Sequence, residues 1–444
     1  MLDLRAFLAL AEERGHLLRL ERPVDPDTQA GALLVELERH GKVGLFEHIS
    51  GRDGRLAGNL FGRRDLLAAC LGVPVDELVP TFLNLLEQRV PPQRLSGPVP
   101  AQAVVRTGAE ADLRQLPMIV HASKDAGAYI TAGIVLARDP QTGRRNVSVN
   151  RMQLKGGDKM GIRMMPPQQL GLIQARAETR GERLPIAVAI GNHPLDVVAA
   201  ATSLPFGDDE LELAGALRGE PFPLAPAVSQ PDLEVPALAE LVLEGYVEPG
   251  VREPEGPFGD FMQYYVPVMD NHVFRLTAIT HRPDPILQAI HAGSGEDVNL
   301  LGLSREALVL SAVRAIGARV CAVRLLPTIL GCAISIEQRY AGEAKSVAMA
   351  ALGAYRWLKY CIVVDHDVDV NSVDDVWWAV TTRSNPADAV SVIHRSGGFP
   401  RDPFGTHASK AIVDATIPLG EWAEFERKRA PGQGALQLED FLGP

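Results

Sequence analysis

The stretch NVSVNRMQLKG, residues 146–156, decides the fold class together with its neighbour AYITAGIVLARD, residues 128–139. The stretches LPIAVAIGN (184–192) and HVFRLTAIT (272–280) share their richness in Val, Ile, Thr and aromatic residues, and turns separate all four. Many short strands with few long helices between about 110 and 305 predict a barrel-like or split sheet. A doubly wound sheet is disfavoured, because no GxGxxG motif lies between a strand and a helix.

Two regions of mixed helix and strand flank this one. Residues 1–105 begin with an amphipathic helix near 3–14 and end in PPQRLSGPVPAQAV, whose prolines are typical of a linker. After residue 305, strands such as CAISIEQ and CIVVD alternate with helices, and Ser372 with Asp375 indicates a capping box. We therefore expect an α/β (α+β) fold in three parts, namely an N-terminal α/β domain (1–105), a central split-barrel domain (106–305) and a C-terminal α/β domain (306–444).

Composition and charge exclude several classes of protein. The formal net charge is −11, and the basic pairs Arg63–Arg64 and Arg144–Arg145 are too small to form a nucleic-acid-binding face. Four widely spaced cysteines form no CxxC pair, so a disulfide framework or a cysteine zinc site is disfavoured. No apolar run reaches the roughly 18 residues that span a bilayer. We expect a cytoplasmic protein that binds neither nucleic acid nor membrane.

The first candidate for chemistry is Arg151, in the middle of a predicted strand. Strand alternation puts one set of side chains on each face, with Val147, Val149, Arg151 and Gln153 on one and Ser148, Asn150, Met152 and Leu154 on the other. If the Arg151 face is buried, the guanidinium must be paired, and its planar fork suits a carboxylate or phosphate. The alternative is a solvated face with Arg151 merely exposed.

The second candidate is the stretch PEGPFGD, residues 254–260. Two glycines and two prolines restrict its backbone and hold Glu255 and Asp260 five residues apart. Carboxylates that approach one another push one pKa upward, which produces a proton donor near neutral pH. An ordinary surface turn with two solvated acids is the alternative.

The third candidate is the acidic run in FGDDELELAG, residues 206–215. Its carboxylates (Asp208, Asp209, Glu210 and Glu212) are hard oxygen ligands that suit Mg²⁺, Mn²⁺ or K⁺. They are equally the acids that the dipole of a following helix favours at its N-terminus. The residues Asp365, His366, Asp367 and Asp369 also look like a metal cluster, but the place of these acids in the loop after a strand favours ordinary turn chemistry.

Taken together, these stretches resemble the UbiD family of prenylated-FMN-dependent decarboxylases. The resemblance covers nearly the whole chain and depends on the joint order of several motifs. They are PVDP (23–26), NxxxxRxQ (146–153), LPFGDDELELAGALRGE (204–220), EVPALAELVLEGYVEPGVREPEGPFGD (234–260), QRYAGEAKSV (338–347), AVTTRSNPADA (379–389) and SKAIVDAT (409–416).

The resemblance implies a role for each candidate. The catalytic arginine–glutamate–acid network of the family falls on Arg151, Glu255 and Asp260, with Glu255 as the proton donor. The ligands of the divalent ion that ties the flavin phosphate fall on Asn146 and Glu210, and a third, usually histidine, falls near position 169. Glutamines occupy 168 and 169 here, and Gln169 offers only a neutral carbonyl oxygen. The implied residues of the flavin site are Val149, Asn150, Arg151, Arg163, Met164, Met165, Gln168, Gln169 and Lys410.

The implied reaction is the reversible, non-oxidative decarboxylation of an α,β-unsaturated, aromatic or heteroaromatic acid. In the family it proceeds through a covalent adduct of the substrate with prenylated FMN, which serves as the electron sink. The resemblance further implies Mn²⁺ (or Mg²⁺) and K⁺, a flavin prenyltransferase as cofactor supplier, and a homodimer or higher homo-oligomer joined through the third domain. Two alternatives stay open: a flavin-binding reductase on a similar split barrel, and a non-catalytic subunit of a decarboxylase complex. The identity of the acid stays open as well.

Overall fold

The structure is a computed structural model that describes residues 2–164, 166–404, 408–428, 430–432, 435–436 and 441. The chain divides into two compact units. The first contains the residues up to 308 together with 327–329, and the second contains 309–326 and the residues from 330 onward.

The first unit begins with a small α/β region. Its helices are α1 (Leu4–Glu13), α2 (Ala30–Arg39), α3 (Arg64–Cys70) and α4 (Leu78–Leu85), and its strands are β1 (Leu17–Leu20), β2 (Val43–Phe46), β3 (Arg55–Gly58) and β4 (Gln93–Arg94). The amphipathic helix expected near 3–14 is confirmed as α1. Asp3 caps it by accepting a hydrogen bond from the Ala6 N–H at 2.9 Å, and the helix buries Leu4, Phe7 and Leu8 at helical spacing.

The central region consists mainly of short strands. They are β5 (Val104–Thr107), β6 (Tyr129–Ile130), β7 (Ile134–Arg138), β8 (Arg145–Val149), β9 (Met152–Leu154), β10 (Lys159–Ile162), β11 (Leu184–Ile190), β12 (Pro223–Pro226), β13 (Glu234–Pro236), β14 (Leu241–Glu255), β15 (Phe258–Gly259), β16 (Tyr265–Val266), β17 (Met269–His281) and β18 (Ile286–Ala289). Three helices separate them, namely α5 (Gln169–Thr179), α6 (Pro194–Ala200) and α7 (Glu210–Arg218).

Among the described residues, nine of these strands form one antiparallel sheet that curls into a half-barrel. Its order is β6-β9-β10-β17-β14-β11-β7-β8, and β5 pairs with β17. The long strands β14 and β17 pair along most of their length and form the backbone of the sheet. Residues such as Ile186, Val188 and Leu243 are fully buried between the sheet and its helices. The predicted split sheet is confirmed.

The prediction of one strand through residues 147–154 is wrong. Strand β8 ends at Val149 and pairs with β7, whereas β9 begins at Met152 and pairs with β6 and β10. At Asn150 and Arg151 the chain therefore passes from β8, at one edge of the sheet, to β9, which lies next to the opposite edge strand β6. The partner strands β6 and β7 are likewise separated, by residues 131–133. There the Asn150 N–H donates to the Gly133 carbonyl at 3.2 Å. Side-chain alternation does not continue through this bend, because two different strands flank it.

The remaining sheets are smaller. Strands β1, β2, β3 and β18 form a four-stranded sheet, β13, β12 and β4 form a three-stranded one, and β15 pairs with β16. The second unit contains strands β19 (Val320–Leu325), β20 (Gly331–Ile336), β21 (Tyr360–Asp365), β22 (Val390–Ile393) and β23 (Lys410–Ala415), in the order β19-β20-β21-β23-β22. Its helices are α9 (Glu343–Ala354), α10 (Val373–Arg383) and α11 (Pro386–Ala389). The expected capping box is confirmed, since the Asp375 N–H donates to Ser372 Oγ at 3.2 Å.

Helix α8 (Gly295–Ala315) has 21 residues and contains the boundary between the two units. Charged side chains such as Glu296, Asp297 and Arg305 interrupt its apolar positions. Within the described ranges no single helix has the length and apolarity to cross a membrane. Only the pair Arg64–Cys70 and Val75–Leu85, bent by 77°, meets that criterion jointly, on length and composition alone.

Candidate active site

A buried ion pair between Arg151 and Glu255 lies at the bend of the half-barrel. Arg151 Nε donates to Glu255 Oε1 and Nη2 donates to Oε2, both at 3.0 Å. Only 1% of the Glu255 side chain and 14% of the Arg151 side chain are exposed. The guanidinium also lies over the Phe258 ring, 4.6 Å from its centroid. The hypothesis of a solvated Arg151 is therefore wrong, because a carboxylate and an aromatic face enclose the side chain.

This pair uses one edge of the guanidinium and leaves another for a ligand. The contact with Glu255 is side-on, through Nε and Nη2, and arginine has five N–H groups in total. Among the described residues, Nη1 has no hydrogen-bond partner. The edge formed by Nη1 and the second N–H of Nη2 can therefore bind a second carboxylate in the same plane.

Local backbone contacts hold Glu255 at the end of β14. Gly256 follows it with φ at +96°, a conformation that glycine tolerates without strain. The amide of Gln153, on β9, accepts from the Gly256 N–H at 3.2 Å and donates to the Ala126 carbonyl at 2.8 Å. Gln153 thus joins the PEGPFGD turn to the strand that follows Arg151, which keeps the two members of the ion pair in register.

Two further residues that the sequence did not single out contact or face Glu255. Asn271, on β17 and 4% exposed, donates through Nδ2 to Glu255 Oε2 at 2.8 Å. The hydroxyl of Tyr129 is buried next to Glu255, and burial followed by the charge of Glu255 raises the pKa of the phenol. That hydroxyl is near enough for the carboxylate to act on it, yet it makes no hydrogen bond of ordinary geometry to a described residue. Neither residue belongs to a motif that marks it in the sequence.

Asp260 lies beyond the turn and is 7% exposed. Its Oδ1 accepts from the Met262 N–H at 3.0 Å. Burial is the main cause that raises the pKa of the neighbouring Asp297 to about 6, and the charge of Asp260 contributes to this rise. Asp260 therefore lies in a cluster of buried acids beside the turn, and its membership of the Arg151–Glu255 network stays a prediction.

Two neutral histidines lie on the segments that contact this turn. The rings of His121 and His291 are 6.4 Å apart, centroid to centroid. Burial lowers the pKa of His121 to about 3, and it also lowers the pKa of His291. Although the Tyr129 backbone is close to His121, neither ring nitrogen of His121 makes a hydrogen bond of ordinary geometry to a described residue. Both imidazoles are therefore neutral groups with hydrogen-bonding capacity to spare.

The predicted metal ligands Asn146 and Glu210 come together between β8 and the start of α7. Glu210 Oε2 accepts from the Val147 N–H, next to Asn146, at 2.8 Å. Burial is the main cause that raises the pKa of Glu210 to about 8, and the charges of the nearby Asp209 and Asp208 contribute to this rise. Asn146 is 2% exposed, and neither atom of its amide has a partner among the described residues. A buried amide without partners beside a destabilised carboxylate is the donor set that a hard cation would complete.

Gln169, the expected third ligand, is the first residue of α5. Its Nε2 donates to the Leu204 carbonyl at 2.8 Å, an arrangement that leaves its carbonyl oxygen available. In the described part of the chain no three His, Cys, Asp or Glu side chains group closely enough to hold a metal ion. A cation at Glu210 would therefore need amide oxygens, and Asn146 and Gln169 have them.

Four other acids of these stretches pair with arginines. Asp209 caps α7 by accepting from the Leu211 N–H at 3.0 Å and pairs with Arg145 at 2.7 Å, while Asp208 pairs with Arg89 at 3.1 Å. The prediction of helix-start acids is confirmed for Asp209, and Glu210 differs from it by being buried. In the second unit, Asp365 and Asp367 both pair with Arg383, which explains their clustering without a metal.

The residues predicted to bind the flavin lie mostly around the bend. Val149 and Asn150 are half-buried there, and Asn150 Nδ2 donates to the Arg163 carbonyl at 3.2 Å. Met164 is 2% exposed, Gln168 is exposed just before α5, and Met165 falls outside the described residues. This contact brings the 149–151 bend next to the 163–164 segment.

Lys410, also predicted to contact the cofactor, lies on β23 of the second unit. Its ammonium donates to the carbonyls of Arg356 at 2.8 Å and Leu358 at 2.9 Å. Burial lowers the pKa of this ammonium. Two of its three N–H groups are thus used within its own unit, and its role toward the cofactor stays a prediction.

Comparison with known proteins defines the class to which this fold and site belong. Family models of 3-octaprenyl-4-hydroxybenzoate carboxy-lyase match three consecutive parts of the chain: the N-terminal domain at 8–86, the Rift-related domain at 93–295 and the C-terminal domain at 298–415. The chain belongs to the UbiD family of carboxy-lyases, and the resemblance inferred from its motifs is confirmed.

Individual relatives agree with this placement over almost their whole length. Anhydromevalonate phosphate decarboxylase of Methanosarcina mazei is 34% identical, over 96% of this chain and 99% of the relative. Phenolic acid decarboxylase of Escherichia coli O157:H7 is 33% identical, over 94% and 92%. The UbiD-class enzyme HmfF from Pelotomaculum thermopropionicum, solved with FMN, is 38% identical with a TM-score of 0.94, over 99% and 100%. An evolved dimeric form of HmfF, solved with prFMN, is 37% identical with a TM-score of 0.89 and full coverage of both chains.

Proposed function

We propose that this protein catalyses the reversible, non-oxidative decarboxylation of an α,β-unsaturated, aromatic or heteroaromatic carboxylic acid, with prenylated FMN as its cofactor. One observation supports this above the others, namely the buried Arg151–Glu255 pair with an unused guanidinium edge. A cation that binds a carboxylate beside a buried proton carrier is what this reaction requires of the protein. The non-catalytic alternative is disfavoured, because a protein without activity has no physical reason to bury such a pair.

The cofactor supplies what side chains lack, an acceptor for the electron density that remains on carbon when CO₂ departs. Val149, Asn150, Arg151, Arg163 and Met164 would line its site, since they meet at the bend of the half-barrel. Met165, Gln168, Gln169 and Lys410 complete the set that the family resemblance implies. Asn150 is anchored on both sides of the bend, through its backbone N–H to Gly133 and its side chain to Arg163, so it would present a fixed surface.

Arg151 and Glu255 would act in sequence through one shared guanidinium. The substrate carboxylate binds the free edge of Arg151, which orients the bond to be broken. Its negative charge competes for the guanidinium and weakens the hold of Arg151 on the ionised form of Glu255, so Glu255 takes up a proton more readily. When CO₂ leaves as a neutral molecule, the full attraction of Arg151 returns and Glu255 gives its proton to the carbon. Asp260 would share protons with this pair.

Asn146, Glu210 and the carbonyl oxygen of Gln169 would hold Mn²⁺ or Mg²⁺, with K⁺ nearby. The support is the unpartnered amide of Asn146 and the carboxylate of Glu210, which burial disfavours as a lone charge. The cation would neutralise the flavin phosphate and anchor it without taking part in the reaction.

The proposal includes a cellular setting. A flavin prenyltransferase would supply the cofactor in the cytoplasm, and the protein would act as a homodimer or higher homo-oligomer joined through its C-terminal α/β domain. The three-part division at 105 and 305 belongs to the same proposal. The small-molecule acid is not narrowed further, since the named relatives act on acids as different as anhydromevalonate phosphate and phenolic acids.

The test is co-expression with a flavin prenyltransferase, followed by absorption spectroscopy and mass spectrometry of the bound flavin. CO₂ release is then followed from a panel of cinnamic, dienoic and heteroaromatic acids, beside a UbiD-family decarboxylase of known activity as the loading control. We expect prenylated FMN and turnover of at least one class of acid. Ordinary FMN only, with NAD(P)H oxidation and a fully loaded control, would establish the reductase alternative instead.

A further inference from the structure

Asn271 makes a hydrogen bond that none of the recognised motifs explains. It lies on β17 opposite Glu253 of β14, and its side chain reaches along the sheet to Glu255, where Nδ2 donates to Oε2 at 2.8 Å. The side chain is 4% exposed, so water does not compete for this bond. Among the described residues, Oε2 of Glu255 thus accepts from both Asn271 and Arg151, while Oε1 accepts from Arg151.

We infer that Asn271 is a positioning residue for the decarboxylation, which keeps the Glu255 carboxyl in place while Arg151 divides its hydrogen bonds between Glu255 and the substrate. This inference rests on the proposed function. Arg151 is a shared donor whose attraction for Glu255 changes during the cycle, as described above. Asn271 is neutral, is fixed to a long strand and has no such second duty, so its hydrogen bond persists throughout.

The consequence is a bias on the protonation of Glu255. A donor that points at a carboxylate oxygen stabilises the ionised form over the protonated acid. Asn271 therefore opposes early proton uptake and favours proton release. Because a proton donor must be protonated to act, activity falls at high pH as that proton is lost. Removal of the Asn271 amide should move this alkaline fall to higher pH.

Other groups near Glu255 act on the same equilibrium and must stay constant in the test. Arg151 is the ion-pair partner, and Tyr129 on β6 places its hydroxyl nearby. Lys155, which follows β9, donates to the carbonyl of Pro254. Asp125 is near enough to act on Tyr129, and burial raises the pKa of that aspartate. None of these groups is changed by a substitution at position 271.

The decisive experiment compares pH profiles of kcat/KM for the reconstituted holoenzyme and two variants. Asn271→Ala removes the donor, and we expect the alkaline limb to move up by about one pH unit, the value of one hydrogen bond to a charged group. Asn271→Asp adds a negative charge as well and should move it further in the same direction. Gln153→Ala is the matched control, because this buried amide supports the turn through Gly256 and Ala126 without donating to the carboxylate. It should lower the rate without moving the limb.

A second readout needs no turnover. In the full-length protein, Asn271→Ala should lower the Tm, and this loss should fall to about half or less in a Glu255→Gln background, because hydrogen bonds to charged acceptors are roughly twice as strong as neutral ones. Gln153→Ala should lower the Tm by the same amount in the wild-type and the Glu255→Gln backgrounds. An unmoved alkaline limb, or equal Tm losses for Asn271→Ala in both backgrounds, would overturn the inference. If the wild type releases no CO₂, the proposed function fails, and the Tm comparison still decides whether Asn271 acts on the charge of Glu255.

Discussion

Glu255 and Glu210 are two carboxylates of the central region that are equally buried but differently surrounded. Glu255 ends a strand, is 1% exposed and, within the part of the chain that the structure describes, accepts two hydrogen bonds from Arg151 and one from Asn271. Glu210 begins a helix, is 3% exposed and receives its hydrogen bond at Oε2 from the Val147 N–H, while two neighbouring aspartates repel its charge. Among the described residues, Glu255 has the guanidinium of Arg151 as a cationic partner, whereas the hydrogen bond of Glu210 comes from a neutral backbone N–H.

The surroundings of the two carboxylates indicate how each is used. A buried charge must be paired or neutralised, and Glu255 meets that condition within the chain. Glu255 can therefore exchange a proton without rearrangement of the site, since Arg151 and Asn271 contact its carboxyl in both the ionised and the protonated form. Glu210 meets the condition only as a neutral acid or beside a cation, and the unpartnered Asn146 amide next to it favours the cation.

The largest effect that we expect comes from Glu255→Gln. The amide preserves the shape of the side chain and can still accept from Arg151, but it has no proton to transfer at neutral pH. General acid catalysis is worth about 10²–10⁴-fold, so kcat for CO₂ release should fall by that factor while the flavin content stays the same. The measurement is single-turnover CO₂ release from the best acid of the panel, together with the flavin spectrum.

Glu244→Gln is the matched control for that substitution. Glu244 lies on the same strand β14, is fully buried and accepts from the Val228 and Ser229 N–H groups, away from Arg151. The Glu244→Gln substitution makes the same chemical change at a site that supports the fold, so kcat should stay within a few-fold of the wild type. A Glu255→Gln variant with native kcat would remove Glu255 as the proton donor and transfer that role to another acid.

The second prediction concerns Glu210. We expect Glu210→Gln to lower the Mn²⁺ retained after dialysis by about tenfold or more, because a hard cation prefers a charged oxygen to an amide. The flavin content should fall with it. Metal is measured by inductively coupled plasma mass spectrometry, and Glu212→Gln, in the same first turn of α7, is the control. Removal of metal by EDTA should lower the Tm of the wild type and leave that of Glu210→Gln unchanged. Equal Tm losses in the two proteins would place the metal elsewhere.

The residues around Glu255 differ in how well each can be predicted from the sequence. The PEGPFGD turn marks Glu255, and the family resemblance supplies its partner Arg151, which the structure places at hydrogen-bond distance. Asn271 escapes prediction because its contact depends on the pairing of β14 with β17, across a register shift that only the folded sheet defines. Tyr129 escapes for a similar reason, since it comes from a two-residue strand at the edge of the sheet. Neither residue carries a local sequence pattern that would reveal its position beside Glu255.

The fold shows the same limit at the bend. Periodicity correctly predicts strands on both sides of Asn150, because Val147 and Met152 alternate with polar neighbours. The same periodicity wrongly joins the two strands into one, because side-chain alternation does not indicate which strand each segment pairs with. The break is a tertiary effect, because the chain passes from β8 at one edge of the curled sheet to β9 next to the other edge. The helices α1 and α10, whose caps are local, were predictable from sequence alone.

A third buried carboxylate, Glu296, extends the contrast between Glu255 and Glu210. It is 1% exposed and accepts from the backbone N–H groups of Asn59, Phe61 and His291, with no arginine among these donors. Burial raises the pKa of Glu296 to about 8. The folded protein thus holds this proton more tightly than the unfolded chain, and the free energy of unfolding should fall as pH rises from about 4.5 to 8.

Glu296→Gln should remove part of that fall, by an amount on the order of 1–3 kcal/mol, because an amide stays neutral throughout. The measurement is denaturant unfolding at pH 5 and pH 8 in both proteins. All other titrating groups are shared, so the difference between the two slopes belongs to Glu296. Identical slopes would mean that backbone donors alone suffice to hold a buried carboxylate in its charged form, and the contrast between Glu255 and Glu210 would then lose its physical basis.

The smallest effect should come from Phe258→Leu. The Phe258 ring faces the Arg151 guanidinium at 4.6 Å and contacts the Tyr129 ring, also at 4.6 Å between centroids. Loss of the aromatic face removes a cation–π contact worth about 0.5–2 kcal/mol, so kcat/KM should fall by roughly 2- to 30-fold. Phe222→Leu is the matched control, since its ring faces Arg218 at 5.5 Å away from the ion pair and should affect the Tm alone. If KM rises more than kcat falls, the ring orients the free edge of Arg151 toward the substrate. If kcat falls alone, the ring acts on the Glu255 side of the pair instead.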